Sequence, residues 1–275
     1  MSAKIPLAGV IGNPIAHSKS PKLHGHWLRS YGMAGHYIPL HVGSADLSAV
    51  LMAMPKMGFV GANVTIPHKE SVIPYCDSLS ETARRIGAVN TLSWTSEGQL
   101  HGDNTDAYGF IENIHQSTKW QAAGKTALIL GAGGAARAVI VALLDAGIAQ
   151  IILTNRSPER AENLAAEFGP KLRALPWAQT DGHIGGADLV VNTTSLGMAG
   201  QEDLPFTLQA LAPHILVTDI VYTPLQTPLL TKAKAAGCQT VDGLGMLLHQ
   251  AVPGFEKWFG HRPDVDTATR AAVLT

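Results

Sequence analysis

The chain has 275 residues, 46% hydrophobic and 15% charged, with a formal net charge of −1. That length supports one large or two modest domains with a sizeable core, and the balanced charge excludes a surface built to attract nucleic acid or an anionic membrane. Two cysteines, Cys76 and Cys238, make neither a disulfide framework nor a CxxC metal pair, and no basic-then-apolar leader is present, so a cytoplasmic protein acting on small molecules is expected.

In chain order, IPLAGVIG (residues 5–12) reads as a buried strand, and Ser20-Pro21 as an N-cap with proline at the first helical position of a helix to about Tyr31. Next come the strand HYIPLHV, a helix entered at Ser44 to Asp46 and ending near Met54, and a strand over 61–67. A short helix starts at Ser80, a strand covers 87–94, and SEGQLHGDNTDAYGF holds a turn, a short strand and a helix start. From Lys125 the alternation restarts: KTALILGAGG, a helix to Asp145, QIILTNR, a helix over 158–168, the strands ADLVVNTTS and HILVTDIVY, a helix near 229–236 and the strand CQTVD. The most apolar run, 127–144, carries Arg137 among Gly131, Gly133 and Gly134, and reads as a buried strand and helix rather than a membrane span. The closing segment LGMLLHQAVPGFEKWF reads as one apolar helix that packs on the first domain and leaves Gln250 facing the cleft.

Alternation of this kind predicts an α/β protein. The restart places a boundary in the helix near 111–120. The expected architecture is a substrate-binding catalytic α/β domain over 1–110 with a mostly parallel sheet, completed by C-terminal helices over 243–275, and a Rossmann-type dinucleotide-binding domain over 111–242.

The sharpest local motif is LILGAGGAARA, residues 128–138, between an apolar strand and an apolar helix. Gly131 suits the tight turn, Gly133 the close approach of backbone to a pyrophosphate, and Ala136 the packing of helix on strand. The helix N-terminus then offers free N–H groups and its dipole to the anion. Small-residue turns also serve plain strand-helix packing, but the order strand, turn, helix favours a nucleotide. An NAD enzyme usually has an acid about 20 residues further on. Here stands TNRSPER, with Asn155, Arg156, Ser157 and Arg160. Guanidinium groups clamp a 2′-phosphate that a carboxylate would repel, so the expected cofactor is NADP(H).

Polar residues of the first domain gather at strand ends: Asn63 and Thr65, Asn90 and Thr91, then Asp103, Asn104 and Asp106. In open α/β sheets such loops converge outside the carboxyl ends of the strands. Lys69 and Asp106 are each plausible as surface residue or helix cap. Together they suit carbonyl reduction, which leaves an oxygen that needs a proton.

The order of GNPIAHSKSP, ANVTIPHK, GAVNT, GDNTDAYGF, GAGGAARA, NRSPER, NTTSLGM, DIVYTP and DGLGMLLHQ closely resembles the bacterial shikimate dehydrogenase family over nearly the whole chain. The resemblance implies reversible NADPH-dependent reduction of 3-dehydroshikimate to shikimate, on the way to the aromatic amino acids. It implies that Ser18 and Ser20 hold the substrate carboxylate with Tyr222 nearby. It further implies that Asn63, Thr65, Asn90, Asp106 and Gln250 bind ring hydroxyls, and that Lys69 is the catalytic lysine with Asp106 beside it. Whether that lysine is acid-base or electrostatic anchor stays open. On the cofactor side it implies Gly131, Ala132, Gly133, Gly134 and Ala135, then Asn155, Arg156, Ser157 and Arg160. Ile220, Gly243 and Met246 would line the nicotinamide end, with Glu81 a further candidate. Gly25 departs from the polar residue that many relatives carry after the histidine of SPxxH.

Of twelve histidines, His17, His24 and His26 invite a metal, but His24 and His26 lie two apart on an expected helix and point to different faces, so no metal is expected. The sequons at Asn63 and Asn192 are read as strand-end polar groups. Competing readings are a quinate/shikimate dehydrogenase using NAD and a non-catalytic nucleotide sensor; a sensor has no use for Lys69 with Asp106. The expected partner is the small-molecule substrate, with no nucleic acid and no membrane, for a monomer or homodimer.

Overall fold

The computed structural model describes residues 5–274, which fall into two compact units. Unit 1 runs to Gly109 and resumes at Leu248; unit 2 is Phe110–Leu247.

Unit 1 opens with β1 (Leu7–Gly12), α1 (Ser20–Ser30), β2 (His36–His41), α2 (Leu47–Ala53), β3 (Phe59–Val64) and the one-turn α3 (His68–Ser71). It continues through β4 (Ser78–Leu79), α4 (Glu81–Ile86), β5 (Thr91–Trp94), β6 (Leu100–Asp103) and the start of α5 (Asp106–Ser117). The six strands lie in the order β2-β1-β3-β5-β6-β4. β1 is parallel to β2 and β3, and β4 to β6, while β5 is antiparallel to both neighbours, because only a short connection separates it from β6. Ile11, Ala62, Val64 and Leu92 are buried along the central strands, which is why these segments read as near-continuous apolar runs.

Unit 2 contains β7 (Thr126–Leu130), α6 (Gly134–Asp145), β8 (Gln150–Asn155), α7 (Pro158–Phe168) and β9 (Leu172–Pro176). After α8 (Asp181–Ile184) come β10 (Leu189–Asn192), β11 (Leu216–Asp219), α9 (Pro228–Ala235) and β12 (Gln239–Val241). All five pairings are parallel, in the order β12-β11-β10-β7-β8-β9. Counted from β7, this is the doubly wound dinucleotide-binding order, with its crossover reversing between β7 and β10. The apolar run 127–144 is here a strand, a glycine turn and a buried helix. Among the described residues, no helix is long and apolar enough to cross a membrane.

The C-terminal elements are α10 (Leu244–His249), α11 (Ala251–Phe259) and α12 (Thr267–Leu274). The expected single apolar helix is thus two, broken at Gln250. α11 packs on β3 and β5, where Trp258 Nε1 donates to Leu92 O at 3.0 Å. The unit boundary passes through α10, so Gly243 and Met246 belong to unit 2 and Gln250 to unit 1.

Two local expectations need correction. Ser20 is not an N-cap. Lys19 occupies that position in helical conformation, because a turn closed by Ser18 N to Ile15 O already bends the chain, and the Ser20 N–H donates instead to Ser18 Oγ at 3.3 Å. The strand over 87–94 begins only at Thr91: Gly87 ends α4 at φ 74°, and residues 88–90 follow an irregular path. There Val89 N–H donates to Lys69 O at 2.8 Å and Asn90 N–H to Asp103 O at 3.0 Å.

Candidate active site

In unit 1, the segments leaving the carboxyl ends of β1, β3 and β6 carry the candidate groups. Lys69 sits on α3, directly after β3, and Asp106 opens α5 after β6. Lys69 Nζ donates to Asp106 Oδ2 at 2.6 Å, with the lysine side chain 33% and the aspartate 16% exposed. The pair is therefore formed and still reachable by a small molecule. Asn90 Nδ2 donates to the other oxygen, Asp106 Oδ1, at 2.8 Å, and Asn104 Oδ1 accepts the Asp106 N–H at 3.0 Å. With both oxygens engaged, the carboxylate has one orientation. Asn90 is fixed in turn: its Oδ1 accepts from Thr91 Oγ1 at 2.8 Å and from the Thr105 N–H at 2.9 Å. Asn63 Nδ2 donates to Asn90 O at 3.1 Å and Thr91 Oγ1 at 3.3 Å.

Sequence reasoning missed Tyr37, whose hydroxyl donates to Asn63 Oδ1 at 2.6 Å. The strand HYIPLHV gave no cue, since a tyrosine there reads as ordinary strand filling. Thr65, half-buried, closes the turn into α3 by accepting the His68 N–H through its carbonyl. Ser20 is buried and Ser18 half-buried at the start of α1; Gln250 is half-buried between α10 and α11. Glu81 is exposed in the first turn of α4, which Ser80 caps by accepting the Ala83 N–H.

In unit 2, Gly131 follows β7 at φ 105°, and a Cβ there would meet Thr193 Oγ1 at 2.7 Å and Thr194 Cγ2 at 2.8 Å. The turn thus needs glycine for its backbone conformation and for the threonines packed on it. Those threonines follow β10, at the crossover reversal, and Thr193 Oγ1 donates to Leu130 O at 2.8 Å. A Cβ on Gly133 or Gly134 would meet nothing within 4 Å, and α6 starts here with no side-chain cap and no acid in its first turn. Half-buried Ala135 completes this open cradle of N–H groups, which suits a pyrophosphate, while half-buried Ala132 has its own N–H already engaged. Asn155 Oδ1 accepts the Ala132 N–H at 3.2 Å and its Nδ2 donates to Ser157 O at 3.0 Å, tying the glycine turn to the loop of Arg156 and Arg160, both exposed. The donor set and the space fit an NADP(H).

The loop after β11 is held by Asp219, fully buried, which accepts from Asn192 Nδ2 (3.0 Å), the Val221 N–H (3.0 Å) and Thr227 Oγ1 (2.7 Å). Burial pushes its carboxyl up to about 6, against these donors. Tyr222, on this loop, is half-buried, and burial raises its phenol. A Cβ on Gly243 would lie 2.4 Å from Ile220 O, so only glycine lets the chain entering α10 pass this loop, with half-buried Met246 one turn on. Sequence reasoning did not single out Asp219 or Thr193. DIVYTP and NTTSLGM contained them, but only the register of parallel strands shows what they hold.

A model of the shikimate dehydrogenase substrate binding domain matches residues 10–92, one of shikimate/quinate 5-dehydrogenase matches 113–202, and one of the shikimate 5′-dehydrogenase C-terminal domain matches 243–273. A shikimate dehydrogenase (NADP(+)) of Roseobacter denitrificans is 58% identical over 98% of both chains. This chain belongs to the shikimate dehydrogenase family. Among solved structures of similar fold, shikimate 5-dehydrogenase from Thermus thermophilus, in complex with NADP(H) and shikimate, is 38% identical with a TM-score of 0.87, covering 98% of both chains. A quinate dehydrogenase from Corynebacterium glutamicum in complex with NAD is 33% identical with a TM-score of 0.90, also covering 98% of both.

Proposed function

We propose that the chain catalyses reversible NADPH-dependent reduction of 3-dehydroshikimate to shikimate, with Lys69 and Asp106 as its catalytic pair. The observation that carries this reading is the 2.6 Å contact between Lys69 and Asp106, half-open to solvent and braced by Asn90. The cofactor, when bound, supplies a hydride from its nicotinamide ring. The chain must then meet a developing negative charge on the former carbonyl oxygen. Lys69 Nζ serves that oxygen, donating a proton in reduction and taking one from the hydroxyl in reverse, while Asp106 fixes its direction. As a pure anchor the same ammonium would stabilise the oxygen without giving up its proton, and the two roles differ in the solvent isotope effect on kcat.

In this reading Ser18, Ser20 and Tyr222 hold the carboxylate, while Thr65, Asn90, Asp106 and Gln250 orient the ring hydroxyls; Asn63 belongs to the same polar cluster. Gly131 to Ala135 take the pyrophosphate, Asn155 to Arg160 the 2′-phosphate, and Ile220, Gly243 and Met246 the nicotinamide end, with Glu81 a further candidate. Both cysteines are free, which suits a reducing cytoplasm. The likeness to an NAD-bound quinate dehydrogenase supports a second reading, quinate oxidation with NAD. Arg156 and Arg160, standing where an NAD enzyme places an acid, favour the first. Initial rates with shikimate and quinate, each against NADP⁺ and NAD⁺, test it. Shikimate with NADP⁺ should give the highest kcat/KM, and a preference for quinate or NAD⁺ would replace this reading with the second.

A further inference from the structure

We infer that Tyr37 is a positioning residue that fixes the Asn63 amide and, through it, the hydrogen-bonded chain that orients Asp106 and Lys69. The inference rests on the reaction proposed above. Tyr37 lies on β2, an edge strand of its sheet, yet is only 7% exposed. Its ring lies flat on the His24 imidazole, with centroids 3.9 Å apart and planes parallel, and tilts against Trp258. His24 is fully buried with both ring nitrogens unpartnered, and burial lowers its pKa to about 3, so it offers an uncharged face that does not compete for the phenol. Burial also keeps the phenol protonated, by raising it well above its ordinary value.

The phenol is therefore a donor, and its partner is Asn63 Oδ1 at 2.6 Å. A buried amide can turn over and exchange its oxygen and nitrogen. With Oδ1 taken by the phenol, Nδ2 must face Asn90 O and Thr91 Oγ1, as it does. The chain then runs from Thr91 Oγ1 to Asn90 Oδ1, from Asn90 Nδ2 to Asp106 Oδ1, and from Asp106 to Lys69. Tyr37 thus stands at the head of the amides that orient the catalytic pair.

Tyr37→Phe removes one oxygen and keeps the ring on His24. Its steady-state kinetics with shikimate and NADP⁺ should show KM for shikimate raised by roughly five- to tenfold and kcat lowered severalfold, the size of one or two lost hydrogen bonds. KM for NADP⁺ should stay near wild type, while the melting temperature should fall by a few degrees, because Asn63 Oδ1 is left buried without a donor. In an Asn63→Ala background, Tyr37→Phe should add almost nothing, since both cut the same link. Unchanged shikimate kinetics, independent losses in that cycle, or an equal rise in KM for NADP⁺ would overturn the inference. If Tyr37→Phe does not fold, the pair Asn63→Ala and Thr91→Val takes its place, and strictly additive losses there overturn it as well. A wild-type chain that does not reduce NADP⁺ with shikimate overturns the reaction itself and this inference with it; an active wild type with an indifferent Tyr37→Phe overturns the inference alone.

Discussion

In unit 1 the candidate polar side chains hold one another, Tyr37 to Asn63 to Asn90 to Asp106 to Lys69, each buried or half-buried. In unit 2 the candidate nucleotide groups are backbone N–H donors shaped by glycine and exposed arginines, with Asn155 as a brace between turn and loop. A buried, mutually bonded cluster sets geometry and fails as a unit, because each lost partner leaves another polar atom without water to replace it. Exposed charges on a backbone scaffold set selectivity and act nearly independently. Reaction chemistry suits the first arrangement and choice of cofactor the second.

The hardest test of that contrast is the proposed catalytic pair, Lys69 with Asp106. Lys69→Ala should lower kcat by about 10²- to 10⁴-fold with a small change in KM for shikimate, and Lys69→Ala with Asp106→Asn should be little worse than the lysine variant alone. Multiplicative losses in rapid-mixing or steady-state rates would show two independent residues rather than a unit.

Acid should expose unit 1 next. Burial lowers the pKa of His24 to about 3 and of His249, also in unit 1, to about 4. Unfolding returns each to about 6.5, so the unfolded chain takes up protons that the folded one refuses. The stability contribution is full above about 6.5 and falls with pH below it, by about 1.4 kcal/mol per pH unit per histidine until the folded pKa is reached. Urea titrations at pH 7.5 and 5.5 should show this slope, and His24→Phe should flatten it. An identical slope in the variant would mean that other groups carry the acid sensitivity.

On the unit 2 side, Arg156→Asp should cut kcat/KM for NADP⁺ by at least about tenfold while that for NAD⁺ holds or rises, since a carboxylate repels the 2′-phosphate and accepts from a 2′-hydroxyl. The loss should shrink at high salt, because Arg156 is exposed. Equal losses for both cofactors would remove Arg156 from phosphate recognition. The smallest expected effect is at Ser18: Ser18→Ala should raise KM for shikimate about three- to tenfold with a lesser change in kcat, as for a contact shared by ground and transition states. A collapse of kcat alone would move Ser18 out of the carboxylate clamp and into the chemistry.

Much of unit 2 was legible from local pattern. Apolar runs of strand length, glycines at the first turn, and arginines after the second strand each express a short-range rule, and β7, α6 and β8 stand where those rules put them. The parts misread in unit 1 are those in which the backbone path of a neighbouring turn or segment overrides a local signal. Ser20 looked like a cap, but the turn closed by the Ser18 N–H on Ile15 O sets Lys19 at that position. Residues 87–90 looked like strand, but Gly87 closes α4 and the N–H groups of Val89 and Asn90 go to the carbonyls of Lys69 and Asp103. The apolar C-terminal segment carries no visible break, yet it divides at Gln250.

Residues close together in the chain were enough for the α/β class, the strand-turn-helix of the nucleotide motif, and the arginines that stand where an NAD enzyme places an acid. These follow from neighbours within a few positions, where backbone preference and side-chain chemistry act directly. Folding in three dimensions was needed for Lys69 to meet Asp106 across 37 residues, for Asn90 to fill the second carboxylate oxygen, and for Tyr37 to orient Asn63 from an edge strand. Such pairings depend on strand order and register, which bring distant segments within hydrogen-bonding range and bury them together. A buried polar atom must find its partner wherever packing places one, and no local pattern names that partner in advance.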